Sequence, residues 1–355
     1  MVYSYDFRSD TITKPTPEML NAILVSEVGD DVYQEDPTVN KLESFIAQLT
    51  GKESALFMVS STMSNQVGLR SHLISPPHSV ICDDRAHIHR YEAGGLALIS
   101  QATTYSIKPS NGVYLTAKDI ESALIPEGDV HSSPTKVIEL ENTLGGAILP
   151  LSEMEKIKDL SDINGLKIHL DGARLWNVSV ATKTPILEYC KYVDSVNLCL
   201  SKGLGSPIGA VLAGSREYIN KARHYRKLLG GGWRQAGLLA AAAFVAIDTV
   251  WPKMEFDHRR AKRLRDGLAE MGISTALPVD TNIVMAKVGD VKLNVSLLGT
   301  ECAKLGLLIR SVQSDVVRFV IHHQLDDQAI ELLLQAFRTT IELQNSKVNT
   351  KATVY

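Results

Sequence analysis

Two side chains of chemically capable types stand where apolar runs break off. The stretch Ser195-Val-Asn-Leu-Cys-Leu-Ser-Lys-Gly-Leu-Gly-Ser-Pro-Ile-Gly209 is largely apolar as far as Leu200, then turns into a glycine-rich loop that carries Lys202. A charged side chain at the lip of a core strand needs a partner or a task. One such task is nucleophilic: an amine that is desolvated or set beside other cations loses its proton near neutrality and condenses with an aldehyde. The second break is Lys167-Ile-His-Leu-Asp-Gly-Ala-Arg174. An acid just past a strand, with glycine turning the chain, points into the crevice at the carboxyl ends of the strands, although a turn-initiating aspartate reads the same way.

A third stretch, Ala55–Val59 followed by Ser60-Ser-Thr-Met-Ser-Asn65, places hydroxyls and unpaired N–H groups at the start of a helix. That is an ordinary cap and also a cradle for an anion, most often phosphate. No Walker lysine or GxGxxG is present here, and after Gly203-x-Gly205 the third glycine of a dinucleotide fingerprint is replaced by Ile208. A lysine, a carboxylate and a phosphate cradle on separate strand ends are the parts pyridoxal phosphate requires. The amine takes the aldehyde, and the acid keeps the ring nitrogen protonated so that the ring accepts electrons.

These groups need a sheet to present them. Between about residues 40 and 215, short apolar runs alternate with amphipathic stretches, the pattern of βα units around a mostly parallel sheet. Strands are expected at 55–59, 80–82, 136–141, 167–170, 195–200 and 208–213, with helices at 38–49, 64–72, 151–160, 216–227, 235–250 and 252–271. Beyond Trp251-Pro252 the pattern becomes α+β, with strands near 282–288, 307–309 and 317–322 and helices at 291–305 and 326–343. The expected organisation is an α/β chain: residues 1–250 form an N-terminal segment and a large domain with a mostly parallel sheet, and residues 251–355 a smaller α+β C-terminal domain.

Composition narrows the partners. The 355 residues are 45% hydrophobic and 22% charged, with a net charge of -3, which gives no reason to expect nucleic acid or an anionic membrane. Four scattered cysteines, Cys82, Cys190, Cys199 and Cys302, show no metal-ligand spacing, so core thiols are expected and no metal. His322-His323 reads as structural. The N-terminus lacks an apolar signal region, no apolar run approaches a membrane span, and the terminal Thr353-Val-Tyr355 matches no retention or peroxisomal signal. A cytoplasmic location is the expectation.

His169-Leu-Asp-Gly-Ala-Arg174 together with Leu200-Ser-Lys-Gly-Leu-Gly-Ser-Pro-Ile-Gly209 resembles the L-threonine aldolase family, fold type I of the pyridoxal-phosphate enzymes. So do Asp6-Phe-Arg-Ser-Asp-Thr11, Gly29-Asp-Asp-Val-Tyr33, His87 through Glu92-Ala-Gly-Gly95, and Gly230-Gly-Gly-Trp-Arg-Gln235, in order from residue 6 to beyond 320. The resemblance implies that Lys202 carries the cofactor as a Schiff base, Asp171 pairs with its ring nitrogen and Arg174 sits on its ring-oxygen side. His87 would stack on the ring and move protons, and Ser61 and Thr62 would cradle the phosphate, although the family usually has glycine at position 61. Ser9 and Arg318 would receive the substrate carboxylate, with Tyr33 also in the substrate site. Lys227 and Arg234 would reach a neighbouring subunit's phosphate, which implies a homo-oligomer, a dimer or tetramer, with shared sites.

The activity implied is cleavage of L-threonine, L-allo-threonine and related 3-hydroxy amino acids to glycine and an aldehyde. One departure bears on it. The family typically carries a histidine that contacts the β-hydroxyl in the Glu-Asn-Thr segment, and this chain reads Glu141-Asn-Thr-Leu-Gly-Gly146, with Leu144 and Gly145 there. That substitution favours a small, non-hydroxylated substrate, as in the fungal alanine racemases that resemble this family. A racemase needs proton donors on both faces, for which Lys202 and His87 would serve. His89 is a second candidate for the missing base. A protein that binds the cofactor without turnover is the third reading.

Overall fold

The structure is a computed structural model and describes residues 4–310 and 315–352, with side chains up to residue 346. Thr353-Val-Tyr355 and Met1–Tyr3 lie outside the described residues. Contacts divide the chain into two compact units: Lys14–Leu144 with Ile148–Pro252, and Met1–Thr13 with Gly145–Ala147 and Lys253–Tyr355.

The first unit is built on seven strands: β1 (Ser54–Met58), β2 (Ser79–Asp83), β3 (Thr103–Ile107), β4 (Thr135–Glu141), β5 (Lys167–Asp171), β6 (Ser195–Cys199) and β7 (Ala210–Gly214). They lie in the order β1-β7-β6-β5-β4-β2-β3. The five from β6 to β3 run parallel, and only β7 is reversed against both of its neighbours. The central strands are buried along their length and rich in Val, Ile and Leu, as a sheet covered on both faces requires. The edge strand β3, Thr-Thr-Tyr-Ser-Ile, is half-exposed and polar, so its apolar pattern is too weak to announce it.

Helix boundaries follow local chemistry. Asp36 caps helix Pro37–Thr50 by accepting from the Thr38 and Val39 N–H groups, proline stands in its first turn, and Gly51 ends it with φ +66°. Ser60 caps helix Ser61–His72 by accepting from Met63 N, three residues earlier than the apolar pattern alone places the start. The run Gly237–Glu270 contains a window long and apolar enough by length and composition to cross a membrane, in contrast to the reading of the sequence. Half of that window is buried inside the molecule, and the run is interrupted by a 3₁₀ turn at Trp251–Lys253, as suits core helices.

In the second unit, strands Ile283–Ala286 and Val317–Val320 pair antiparallel, and Tyr5–Asp6 pairs parallel with Leu307–Leu308. Helices Met254–Glu270, Val295–Lys304 and Asp327–Ala352 accompany them, around a core that includes Phe7, Phe319 and Phe337 packed edge to face.

Candidate active site

Register places the polar ends of the central strands side by side. Glu141 of β4 is opposite Asp171 of β5, and Asp171 is opposite Asn197 of β6. Lys202 follows β6 by three residues, and His87 opens the short helix His87–Arg90 after β2. Because these strands are parallel, all of these groups meet at one carboxyl edge of the sheet, where open α/β sheets bind ligands.

Asp171 is 1% exposed and fully engaged on one side. Its Oδ1 accepts from Ala173 N at 2.9 Å and Asn197 Nδ2 at 3.1 Å, and its Oδ2 accepts from Asn65 Nδ2 at 2.8 Å. A carboxylate offers about four acceptor positions. One position on Oδ2 therefore remains for a further donor such as a pyridinium N–H. The Asn197 amide also donates to Ser61 Oγ at 2.5 Å, so it ties the acid to the first turn of helix Ser61–His72. Thr62 follows in that turn, partly buried.

His87 is held from two directions. Its backbone N–H donates to Glu141 Oε2 at 2.9 Å, and its Nδ1 bonds Glu92 Oε1 at 2.8 Å. The hydrogen bond to Glu92 raises the imidazole above its ordinary pKa against the opposing effect of burial; the charges of Asp171 and Glu92 add to the rise and that of Lys202 resists it. The same lysine acts on Glu141, which burial and then the charge of Asp171 push up to about 7 while the His87 N–H and Lys202 pull it down. Lys202, partly exposed, thus stands within electrostatic reach of both His87 and Glu141. Arg174 is buried at the start of helix Leu175–Thr182, its carbonyl accepting from Asn177 N at 2.9 Å.

Behind this edge lies a crowd of acids. The carboxylate oxygens of Glu139, Glu141 and Asp171 fall within 4.8 Å of one another. Glu139 is 1% exposed, and burial first, then Glu141 and Asp171, raises its carboxyl well above the usual range. With Asp83, Tyr114, Glu141 and Leu144 it lines a cavity of about 20 Å³, room for a single water. Leu144, where the resemblance expects a histidine, is therefore an apolar wall, and His89 is exposed on its helix.

The remaining expected residues fall into two further groups. Lys227 lines a cleft of about 450 Å³ with Val32, Gln34, Arg223 and Arg226, and Arg234 pairs with Asp30 at 2.9 Å beside the Asp31–Tyr33 turn, where Tyr33 is exposed. Buried Arg226 anchors that turn through Asp31 at 2.6 Å. In the second unit, Arg318 Nη2 donates to the Arg8 carbonyl at 3.3 Å, next to Ser9, whose Oγ accepts from Thr11 N at 3.2 Å. His322 bonds the Asp6 carbonyl at 2.9 Å, a structural contact.

Sequence reasoning assigned no role to Asn65, Glu92, Asn197, His169, Glu139 or Glu141. A signal did exist: Asn197 interrupts an apolar strand, and 139/141 and 169/171 are polar pairs spaced by two, hence on one face of a strand.

A lysine and a buried, three-quarters satisfied carboxylate at neighbouring strand ends, with hydroxyls at a helix start bridged to that acid, form a donor set that fits an aldehyde-bearing, phosphorylated pyridine. The class is that of fold type I pyridoxal-phosphate enzymes. Residues 6–290 match the model of the beta-eliminating lyase family, and the chain belongs to it. The low-specificity L-threonine aldolase of Candida albicans is 49% identical over 314 residues, covering 84% of each chain. That of Eremothecium gossypii is 45% identical over 341 residues, covering 96% of this chain and 88% of the relative. An alanine racemase of Cochliobolus carbonum is 35% identical over 345 residues, 95% of this chain and 87% of its own. Among solved structures, a threonine aldolase of Leishmania major superposes with a TM-score of 0.81 at 21% identity, over 95% of this chain and 99% of that one, which establishes the fold. The expected resemblance to the L-threonine aldolases is borne out.

Proposed function

We propose that this chain is a pyridoxal-phosphate lyase that cleaves L-threonine, L-allo-threonine and related 3-hydroxy amino acids to glycine and an aldehyde. The observation that carries the reading is the Asp171 carboxylate, buried at a strand end with one acceptor position left and Lys202 on the next strand's loop. Fungal relatives named low-specificity L-threonine aldolases, at 45–49% identity, support the substrate class.

When bound, the cofactor supplies an electron sink for a bond at the substrate's Cα. Lys202 would hold it by its amine, Asp171 would keep its ring nitrogen protonated, and Arg174 would sit beside its ring oxygen. Ser61 and Thr62, at the start of a capped helix, take the phosphate. Ser9 and Arg318 grip the substrate carboxylate, Arg318 through a two-pronged guanidinium contact, with Tyr33 near the substrate. That grip would set which bond at the substrate's Cα is presented to the cofactor. His87, kept protonated to higher pH by Glu92, gives and takes protons at the substrate. Lys227 and Arg234 serve a neighbouring subunit's phosphate in a homodimer or homotetramer, and the enzyme works in the cytoplasm.

A second reading, amino-acid racemisation on the same scaffold, draws on the apolar Leu144 wall and on the relative named an alanine racemase. The two separate in one preparation. Borohydride should fix the cofactor to the peptide holding Lys202, and Lys202→Ala should abolish turnover. Acetaldehyde and glycine from L-threonine support the lyase. D-alanine from L-alanine without acetaldehyde replaces it with the racemase, and wild-type rates in Lys202→Ala overturn both.

A further inference from the structure

The sheet face that carries Asp171 holds a buried polar layer that the assigned roles do not use. His169 and Asp171 of β5 share that face with Ser195 and Asn197 of β6, paired His169 with Ser195 and Asp171 with Asn197. Helix Ser61–His72 lies unusually close over it. A Cβ on Gly68 would stand 2.8 Å from His169 Cε1 and 3.0 Å from Tyr218 Oη, so only glycine lets the helix descend this far. Asn65, almost one turn earlier, is thereby brought down onto Asp171.

The hydrogen bonds there have a fixed direction. Asn65 Nδ2 lies 2.8 Å from Asp171 Oδ2 and 2.9 Å from Glu92 Oε1. Two carboxylates face one amide group, so that group is the NH₂, and its two protons go one to each acid. Asn65 Oδ1 must then accept, and its neighbour is His169 Nε2 at 3.2 Å. This places the imidazole proton on Nε2 and leaves Nδ1 to accept from Ser195 Oγ at 2.8 Å. The Ser195 oxygen accepts in turn from His72 Nε2 at 2.7 Å. Burial holds both imidazoles neutral, His169 down at about 4 and His72 at about 3. Every proton from His72 to Asp171 points toward the acid, an arrangement in which successive bonds polarise one another.

We propose that Asn65 and His169 are positioning residues: through the chain His72–Ser195–His169–Asn65 they hold Asp171 as acceptor for the cofactor's ring nitrogen, and by the second proton of the same amide they hold Glu92 for His87. This rests on the reading of Asp171 as the ring-nitrogen partner. One amide then orients both the acid at the ring edge and the histidine at the ring face. Gln66 Nε2 donates to the other Glu92 oxygen at 2.6 Å, so Glu92 keeps one support without Asn65, while Asp171 Oδ2 loses the donor that orients it.

The experiment uses the holoenzyme loaded with ¹⁵N-pyridine-labelled cofactor and compares wild type with Asn65→Leu, His169→Leu and His169→Gln. Asn65→Leu and His169→Leu should move the ring ¹⁵N resonance toward its unprotonated position. They should lower kcat for L-threonine by about 10–100-fold, the usual cost of removing an outer-shell orienting group, and leave KM nearly unchanged. His169→Gln, whose amide can still donate to Asn65 Oδ1, should restore most of both readouts. A wild-type resonance and kcat in folded Asn65→Leu and His169→Leu overturns the proposal, and so does equal loss in His169→Gln and His169→Leu. If the leucine variants do not fold, Ser195→Ala decides: a resonance shift in the same direction supports the chain and none overturns it. Asp171→Asn separates the two levels. If it leaves the resonance in place, the reading of Asp171 fails; if it moves the resonance while the other variants do not, only this inference fails.

Discussion

Replacing Glu139 by glutamine removes one ionisable proton from the wall of the site and leaves its shape nearly unchanged. Glu139 is 1% exposed, and neither of its oxygens has a hydrogen-bond partner. Burial, then the charges of Glu141, Asp171, Glu92 and Asp83, raises its carboxyl well above the usual range, which favours the neutral acid in the folded protein. In the unfolded chain the same group ionises near its ordinary value of about 4.3. Above that value the unfolded state therefore binds fewer protons than the folded state, and stability falls as pH rises.

For one group the slope is about 1.4 kcal/mol per pH unit wherever the folded acid keeps the proton that the unfolded one has lost. Glutamine does not titrate. Below about pH 4, where the unfolded group is also protonated, Glu139→Gln should match wild type closely, since an amide there is as unpartnered as the acid it replaces. As pH rises above the unfolded value the variant should gain on wild type, at a slope approaching about 1.4 kcal/mol per unit, visible in urea midpoints measured at fixed cofactor concentration. Glu141 titrates in both proteins and cancels in the difference. A gap between variant and wild type that stays constant from pH 5 to 8 would show that Glu139 ionises in the folded protein and would refute the reasoning.

Two further outcomes test the site. Glu92→Gln takes the negative charge out of the bond that raises His87, leaving at most a neutral amide acceptor, so the imidazole should lose its proton at lower pH than in wild type; an unmoved His87 Cε1–H titration by NMR would mean that Glu92 does not set it. Leu144→His and Gly145→His each restore an imidazole to the Glu-Asn-Thr segment and should raise acetaldehyde release from L-threonine, toward the roughly 10²-fold lower range of general acid–base catalysis. Gly145→His should be the less stable, by about 1–2 kcal/mol of backbone strain at φ +59°. Its Cβ would also stand 2.6 Å from Leu277 Cδ1, a flexible side-chain end that must shift. No gain in cleavage from either variant would count against the missing base as the limitation.

The parts of this site that were legible in the sequence are those where chemistry coincides with a break in pattern. Lys202 and Asp171 each end an apolar run, and a one-dimensional reading finds such ends because burial and solvation change within a residue or two. The strands that carry them were read to within a residue or two for the same reason. Strand β3 and helix Leu175–Thr182 were missed for opposite causes: the first is a polar, half-exposed edge and the second follows directly on the Asp-Gly-Ala-Arg turn without a side-chain cap.

What stayed hidden depends on register and close approach. Glu141, Asp171 and Asn197 are far apart along the chain and become neighbours only through the pairing of three parallel strands, which no local pattern encodes. Asn65 reads as an ordinary polar residue in a helix until Gly68 lets that helix settle against His169. Its amide then has two acids as acceptors, and a buried amide in that position cannot be exchanged for an apolar side chain without leaving Asp171 and Glu92 each short of a donor. The same packing that hides Asn65 from sequence pattern therefore ties the orientation of the Asp171 carboxylate to Gly68, whose bare backbone lets the helix approach His169. A larger residue at Gly68 should displace the helix and disturb the site from a position that composition and motif leave unmarked.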